Sequence, residues 1–410
     1  MPAPTSCPKP NLELPVDGST VTESVDEETF QSLLNVVERF TQDELIPAER
    51  LVEDTDEVPD NIIHAMRDLG LFGLSIPRVY GGLGLSLSQE ARVMFELGRA
   101  ASAFRSVIGT NVGIGSQGLI MDGTDAQKCE WLPRLAAGTA IASFALTEPD
   151  AGSDAASIRT SAKRDGDIYI ISGSKRYITN APRATVFTLM ARTGPPGSGA
   201  AGISAFAVPA GTPGITLGAP DRKMGQRGTK TCDIYFDNVR VPANTLIGGV
   251  EGQGFKTAMK VLDRGRINIA ASAIGAARRL IDESIAYASQ RRQFNKPISE
   301  FQLVQAMIAD SYTEYYAGKS MVMDAATVYD AQGAAPLQAA SAKYFCTEAV
   351  GRIADRAVQI HGGAGYMAEY PVERIYRDVR LLRIYEGTSQ IQQLVIAKRL
   401  LRDAAERTGQ

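Results

Sequence analysis

A single carboxylate stands between two apolar segments near the C-terminal end of the chain. The stretch Ile-Tyr-Glu-Gly-Thr-Ser places Glu386 directly before Gly387 and Thr388, and an apolar helical pattern follows. A carboxylate at the start of a helix is stabilised by the helix dipole, which is the simplest structural role for Glu386. A carboxylate in a substrate site can instead act as a general base, and the glycine after it would permit a substrate to pass closely. Taken alone, the stretch is compatible with both roles.

Other common catalytic groups are scarce in this sequence. The 410 residues contain two histidines and no Gly-x-Ser-x-Gly motif, which leaves little support for a Ser-His-Asp site. The four cysteines are far apart and none forms a Cys-x-x-Cys pair, so no metal site is predicted. Chemistry in this chain is therefore expected to depend on carboxylates and on a bound organic cofactor.

Two glycine-containing segments could lie close to a flat or anionic ligand. In residues 145–157, Gly-Ser-Asp follows Glu-Pro and forms a loop rich in backbone N–H and hydroxyl donors, although an ordinary turn explains it as well. Residues 359–378 carry three glycines at the predicted end of a long helix. A helix cap would need only one of them, so this segment favours backbone contact with a pyrophosphate.

Sequence periodicity divides the chain into helical, β and helical parts, which predicts an α+β fold with several domains. Apolar residues three and four positions apart predict an N-terminal α-helical domain over 25–140. Short β-branched and aromatic segments predict a middle domain of antiparallel strands over 141–254. Helical patterns then return at 255–291, 299–331, 337–361 and 388–403. Four long helices predict a C-terminal bundle over 255–410, and the polar stretch 1–24 favours a flexible tail.

Bulk composition excludes several classes of function. The net charge is -3 and no basic block is present, so nucleic acid and anionic membranes are not expected as partners. The first residues lack the apolar core of a signal peptide, and no apolar run is long enough to span a bilayer. A cytoplasmic enzyme is therefore expected.

Several segments together resemble the acyl-CoA dehydrogenase family. Residues 145–157 and 359–378 are similar to the two signature segments of that family. Further segments occur in the family's order and spacing: IPRVYGGLGLS, KRYITN, KMGQRGTKTCDIYFDNVRVP, RRQFNKPISEFQ and IYEGTSQIQ. The similarity covers nearly the whole chain from about residue 26.

The resemblance implies FAD-dependent α,β-dehydrogenation of an acyl-CoA thioester. Glu386 matches the catalytic base and would take the α proton, while the β hydrogen would leave as hydride to flavin N5. The backbone N–H of the base and a ribityl hydroxyl of FAD would donate hydrogen bonds to the thioester oxygen. Some relatives carry the base at the position of Gly265, and because glycine cannot act as a base, Glu386 is the candidate.

The resemblance also assigns residues to FAD. Those implied around the isoalloxazine ring are Phe144, Leu146, Thr147, Ser153, Tyr177, Ile178 and Thr179, and Thr388 and Gln390 would contact FAD of the same subunit. Those implied to hold the FAD of a neighbouring subunit are Arg291, Phe294, Gln302, Gln359, Gly362 and Gly363. A cofactor shared between chains implies an oligomer, in this family a homotetramer built on the C-terminal bundle.

The prediction of which acyl group the substrate carries depends mainly on one arginine. Arg105 and Ser106 belong to a segment similar to the Tyr-Arg-Ser of glutaryl-CoA dehydrogenases, in which the substrate's distal carboxylate is bound. An arginine in the acyl pocket would predict an anionic acyl tail, since its guanidinium pairs with a carboxylate through two hydrogen bonds. Arg105 also lies at the edge of the apolar face of its helix, so it could point outward, and Gly98 stands where glutaryl enzymes have a glutamate. The resemblance places four further residues at the substrate: Ser153, Asp263, Arg266 and Gly387.

The electron acceptor implied by the resemblance is an electron-transferring flavoprotein. Alternatives are a short-, medium- or branched-chain acyl-CoA dehydrogenase without a distal acid group, and an acyl-CoA oxidase that uses O2. A flavin-containing protein that binds nucleic acid is an alternative from another class. That branch has a basic C-terminal surface, whereas the last helices here carry acids as well as Lys398, Arg399 and Arg402.

Overall fold

Helices form the first part of the chain, as the apolar periodicity predicts. The computed structural model describes residues 25–408, so the predicted tail at 1–24 lies outside the described residues. The helices of the first part are α1 (Glu27–Phe40), α2 (Ile46–Thr55), α3 (Asp60–Asp68), α4 (Leu87–Leu97), α5 (Ser102–Val112), α6 (Gln117–Asp122) and α7 (Asp125–Ala136). Ser86 and Gln89 form a capping box that satisfies backbone N–H groups at the start of α4.

A seven-stranded sheet forms the middle of the chain. Its strands are β1 (Ala142–Ala145), β2 (Ser161–Asp165), β3 (Ile168–Thr179), β4 (Val186–Arg192), β5 (Ile203–Pro209), β6 (Ile215–Leu217) and β7 (Thr231–Pro242). Their order is β1-β4-β2-β3-β7-β6, with β5 paired to β4, and most pairs are antiparallel. However, β1 pairs with β4 in parallel, and both strands are buried on both faces, which is typical of parallel strands.

Long helices return after the sheet and pack closely on one another. They are α8 (Gly254–Gln290), α9 (Gln302–Gln332), α10 (Pro336–His361), α11 (Pro371–Val379) and α12 (Ser389–Thr408), with a short hairpin of β8 (Arg292–Gln293) and β9 (Lys296–Pro297) after α8. Small residues permit the close packing, because a Cβ built on Gly318 of α9 would overlap Ile274 of α8. Likewise, a Cβ built on Gly275 of α8 would overlap the backbone at the end of α4.

The observed order of helices, sheet and helical bundle confirms the predicted fold class. The short helix α11 is an addition to the four predicted helices of the last part, and it begins with Pro371 in its first turn. Within residues 25–408, no helix combines the length and the apolar character needed to cross a membrane. The predicted domain boundaries and the cytoplasmic location stay predictions.

A buried ion pair fastens the loop after β1 to the sheet. The side chain of Lys175 in β3 is fully buried, and its Nζ lies 2.7 Å from Oε1 of Glu148. The same Nζ donates a hydrogen bond of 3.0 Å to the carbonyl of Leu146. Glu148 in turn accepts hydrogen bonds from the backbone N–H groups of Arg159 and Thr160, at 2.6 and 2.9 Å. The loop is thus tied at both ends, and it is this loop that reaches the cavity described below.

We expect Lys175→Met to lower the free energy of unfolding by about 3 to 5 kcal/mol, because Glu148 would stay buried without its cation. The double variant Lys175→Met/Glu148→Gln should recover much of this loss, since it removes the unpaired charge as well. Urea unfolding midpoints of the three proteins check this expectation. A single variant as stable as the wild type would show that the ion pair does not hold the loop.

Candidate active site

A cavity of about 340 Å³ lies where three parts of the chain meet. Its lining comes from α5, from β1 and the loop after it, from β3, from the segment between β6 and β7, from α8, and from the start of α12 with the segment before it. The predicted site residues that line it are Arg105, Ser106, Phe144, Leu146, Thr147, Ser153, Tyr177, Ile178, Thr179, Arg266, Glu386 and Gly387. Residues more than 280 positions apart in sequence therefore share one cavity, as an active site between domains requires.

Glu386 and Gly387 form a turn with an unusual backbone conformation. The φ angle of Glu386 is 52° and that of Gly387 is 91°. A glutamate at positive φ is uncommon and is maintained only when its surroundings stabilise that conformation. Thr388 follows as a helix cap, because its Oγ1 accepts a hydrogen bond of 3.2 Å from the N–H of Ile391 in α12. Glu386 lies outside the helix and lines the cavity.

A glycine in α8 leaves room for the carboxylate of Glu386. A Cβ built on Gly265 would overlap Oε2 of Glu386, so any larger residue would displace it. Glu386 as a whole is partly exposed, but its Oε2 is buried and accepts no hydrogen bond from the residues that the structure describes. The carboxylate thus has an acceptor atom available for a group that enters the cavity.

Three cations from three helices surround this carboxylate without forming an ion pair with it. Burial raises the pKa of Glu386 above its ordinary value, while the charges of Arg105, Lys343 and Arg266 lower it. Arg266 is itself paired, since its Nη1 lies 2.6 Å from Oδ1 of Asp263. The net result is a carboxyl group with a raised pKa, which makes its anion a stronger base than an exposed glutamate.

The orientation of Arg105, open from the sequence, is towards the cavity. Its guanidinium lies over Gly109, one helical turn later, where a Cβ would come within 3.3 Å of Cζ. The Nε of Arg105 is buried and has no hydrogen-bond partner, and within residues 25–408 its side chain forms no ion pair. The neighbouring Ser106 is less available, because its hydroxyl donates a hydrogen bond of 2.9 Å to the carbonyl of Ser102.

The β side of the cavity has a flat aromatic surface at its edge. Tyr177 has a φ angle of 58°, and 58% of its surface is exposed. The guanidinium of Arg176 lies 4.9 Å from the centre of the Tyr177 ring. The N–H of Arg176 donates to the carbonyl of Thr147 at 2.8 Å, which joins β3 to the loop after β1. This wall suits a planar ligand that stacks or lies edge-on against it.

The remaining predicted site residues do not line this cavity within one chain. Thr388 caps α12, Gln390 is exposed in the first turn of that helix, and Asp263 of α8 pairs with Arg266. Those that the resemblance assigns to a neighbouring subunit are Arg291, Phe294, Gln302, Gln359, Gly362 and Gly363, and none of them lines the cavity. Phe294 has 87% of its surface exposed. Their contact with FAD stays a prediction.

The sequence prediction omits several polar residues of the site. Lys223, Gln226 and Tyr385 line the cavity, and Lys343 lies buried behind it. The first two belong to a segment that the family resemblance includes, although no role is assigned to them there. Lys343 stands among Ala, Ser and aromatic residues in α10, and a lone lysine on the apolar face of a helix is the signal that could have revealed it.

Three family profiles match the chain in succession. They are the N-terminal, middle and C-terminal domains of acyl-CoA dehydrogenase, at residues 27–139, 143–239 and 252–401. The chain therefore belongs to the acyl-CoA dehydrogenase family, and it is an oxidoreductase of that class.

Similar curated proteins differ in their reactions. The probable acyl-CoA dehydrogenase YngJ of Bacillus subtilis is 43% identical over 372 residues, which cover 91% of this chain and 98% of that protein. The 3-(aryl)acrylate reductase of Clostridium sporogenes is 39% identical and covers 92% and 99% of the two chains. The caffeyl-CoA reductase-Etf complex subunit CarC of Acetobacterium woodii is 40% identical and covers 86% and 92%.

Solved structures show the same architecture. Butyryl-CoA dehydrogenase from Megasphaera elsdenii superposes with a TM-score of 0.88 at 34% identity, covering 92% of this chain and 99% of that chain. A glutaryl-coenzyme A dehydrogenase in complex with glutaryl-CoA gives a TM-score of 0.87 at 32% identity, covering 92% and 96%.

We expect Gly265→Ala to lower the rate of acyl-CoA oxidation about 100-fold, because displacing a catalytic group by about 1 Å has an effect of this size. The protein should remain folded, since alanine favours a helix over glycine by about 1 kcal/mol. Turnover of the acyl-CoA that the wild type oxidises fastest and the thermal midpoint of the same preparation check both parts. A folded variant with the wild-type rate would show that the carboxylate does not lie over Gly265.

Proposed function

We propose that this enzyme removes one hydrogen each from the α and β carbons of an acyl-CoA thioester and releases the trans-2-enoyl-CoA. The observation that carries this proposal is the buried Oε2 of Glu386, which has no hydrogen-bond partner among the described residues and lies against Gly265 in the cavity. A carboxylate in such a position can take a proton from a substrate carbon that lies beside it.

In this proposal, Glu386 takes the α proton onto its carboxylate. Loss of this proton places negative charge on the thioester oxygen, which needs hydrogen-bond donors. The backbone N–H of Glu386 is a suitable donor, because it donates no hydrogen bond to any residue between 25 and 408. Burial raises the pKa of Glu386, and the charges of Arg105, Lys343 and Arg266 oppose that rise and favour the anion that takes the proton.

FAD is the cofactor that we propose. Members of this family bind FAD, and the exposed ring of Tyr177 at the cavity edge fits a planar group. The residues that would hold its isoalloxazine ring are Phe144, Leu146, Thr147, Ser153, Tyr177, Ile178 and Thr179. Thr388 and Gln390, which follow Glu386 in sequence, would also contact FAD of the same subunit. The chemistry that bound FAD supplies is acceptance of the β hydrogen as a hydride.

A homotetramer built on the C-terminal helices is also proposed. Large apolar side chains are exposed on these helices, among them Leu303 of α9 at 81% and Leu401 of α12 at 72%. Exposed apolar surface of this kind indicates contact with another protein surface. A second chain would also bring Arg291, Phe294, Gln302, Gln359, Gly362 and Gly363 into contact with FAD, as the family resemblance implies.

An electron-transferring flavoprotein is the acceptor that we propose for the electrons. The relative from Acetobacterium woodii is a subunit of a complex with such a protein, and it matches this chain over 351 residues. Reoxidation by O2 is the competing proposal, and it has no specific support in the cavity.

Arg105 supports an acyl group with a distal acid. Its guanidinium faces the cavity, and within the described residues it has neither a hydrogen-bond nor an ion-pair partner. Arg105 is partly buried and its buried Nε has no hydrogen-bond partner, so a substrate carboxylate would stabilise the guanidinium. The similarity to a glutaryl-CoA dehydrogenase is compatible with this assignment. An unbranched or branched fatty acyl group is the second candidate, which the similarity to butyryl-CoA dehydrogenase favours.

We expect Glu386→Gln to lower the rate of flavin reduction by about 10² to 10⁴-fold, because the amide keeps the shape of the side chain and cannot take a proton. Anaerobic stopped-flow bleaching of the flavin by acyl-CoA measures this rate, and equilibrium dialysis shows whether the acyl-CoA still binds. Glu57→Gln, at an exposed position outside the cavity, is the matched control and should keep the wild-type rate. Bleaching by the Glu386→Gln variant at the control rate would contradict the proposal.

For Arg105, the informative quantity is the ratio of kcat/KM for glutaryl-CoA to that for butyryl-CoA. We expect Arg105→Gln to lower this ratio by about 10- to 100-fold, which corresponds to the loss of hydrogen bonds between charged groups. The ratio removes any effect of Arg105 on Glu386, since that effect is common to both substrates. A wild type that oxidises butyryl-CoA or octanoyl-CoA and leaves glutaryl-CoA unchanged would contradict the distal acid and make this a fatty acyl-CoA enzyme.

A further inference from the structure

A lysine buried in α10 contacts the turn that carries the carboxylate. The side chain of Lys343 is fully buried, and its Nζ donates a hydrogen bond of 2.7 Å to the carbonyl of Gly387. An ammonium has three N–H donors, and among residues 25–408 this is the hydrogen bond that it forms. Burying a cation with so few partners is energetically unfavourable, which suggests that Lys343 has a functional role.

A second side chain also donates a hydrogen bond to the Gly387 carbonyl, and it belongs to the helix that follows the turn. The amide Nε2 of Gln392 in α12 donates to the carbonyl of Gly387 at 3.0 Å and to that of Glu386 at 3.3 Å. Gln392 is fully buried as well. Two residues from two helices therefore hold a turn in which both Glu386 and Gly387 have positive φ.

Glu348, the acidic residue nearest to Lys343 in sequence, interacts with other side chains. Glu348 accepts a hydrogen bond of 2.6 Å from the hydroxyl of Ser389, and its Oε2 lies 3.4 Å from Nε of Arg383. No carboxylate lies within ion-pair distance of Lys343 in the described part of the chain. Burial lowers the pKa of Lys343 to about 8, while the charge of Glu386 raises it. Lys343 and Glu386 thus stabilise each other's charge across the turn.

We propose that Lys343 is a positioning residue for the base: together with Gln392 it fixes the Gly387 carbonyl, so that the Glu386 carboxylate lies over Gly265 as an anion. This inference rests on the proposed function, in which Glu386 takes the α proton. Because Lys343 and Gln392 fix the turn, they also fix the direction of the Glu386 N–H, which is the proposed donor to the thioester oxygen.

The pH dependence follows from the charges around Glu386. Arg105 faces it from α5, Arg266 with its partner Asp263 from α8, and Lys343 from α10. Tyr385, its neighbour in sequence, stays neutral because burial raises the pKa of that phenol to about 12. Removing the Lys343 charge takes away one of three influences that lower the pKa of Glu386. The rate should therefore reach its plateau at a higher pH.

The experiment compares Lys343→Met with Lys343→Arg in the holoenzyme. We expect the Met variant to reduce its flavin at least about tenfold more slowly at the foot of the pH profile, and to shift the rising limb upward by about one pH unit. Lys343→Arg should restore most of the wild-type profile, because it keeps the charge. Cys346→Ala, buried in the same helix against α9, should lower the thermal midpoint without changing the profile. A Met variant with the wild-type profile would overturn the proposal even if its stability fell.

A second measurement separates this inference from the proposed function. The urea midpoints of Lys343→Met, Glu386→Gln and the double variant require no turnover. Loss of Lys343 should be less damaging when residue 386 is already neutral, because no anion is then left unpaired. Additive effects of the two substitutions would overturn the proposed coupling. If wild-type flavin is bleached by no acyl-CoA, the proposed function fails, while this cycle still decides whether Lys343 stabilises Glu386.

Discussion

The site is built around the carboxylate of Glu386, whose Oε2 is buried without a hydrogen-bond partner among the described residues and which the proposed reaction requires as an anion. A direct ion pair would stabilise Glu386 but would occupy the oxygen that receives a proton in the proposed reaction. The chain instead surrounds the carboxylate with Arg105, Arg266 and Lys343, which act on it from three different helices. Gly265 removes the side chain that would otherwise stand where Oε2 lies.

This arrangement around Glu386 explains why the site needs all three parts of the chain. The first helical part contributes α5 with Arg105, and the sheet contributes the wall around Tyr177 and the loop held by Lys175. The bundle contributes the proposed base, Glu386, and two of the surrounding cations, Arg266 and Lys343. No part contains a complete site, so the packing of α8 against α4 and α10 also sets the electrostatics of Glu386.

Much of this arrangement is predictable from the sequence, because the helices follow a regular apolar periodicity and the site residues lie in recognisable segments. The long helices α8, α9, α10 and α12 follow from apolar periodicity, and Glu386 and Gly265 follow from their place in recognisable segments. The parallel pairing of β1 with β4 does not follow, since strands buried on both faces show no alternation that would reveal their direction. Arg105 lies at the edge of an apolar face, so only the packing of α5 decides its orientation.

The role of Lys343 could not be predicted from the sequence for a different reason. A lysine in a helix is normally exposed to solvent, and the burial of Lys343 depends on residues far away in sequence. The residues assigned to a neighbouring subunit cannot be judged from one chain, since the function proposed for them requires a second chain.

Exchange of the α hydrogens of a bound acyl-CoA with deuterium from the solvent is the most direct test of Glu386 as the base. A suitable probe is 3,3-dimethylbutyryl-CoA, which has α hydrogens and no β hydrogens, so proton removal can be observed by NMR without oxidation. We expect the wild-type holoenzyme to exchange these hydrogens and the Glu386→Gln variant not to exchange them. Exchange by that variant at the wild-type rate would contradict the assignment of Glu386 as the base.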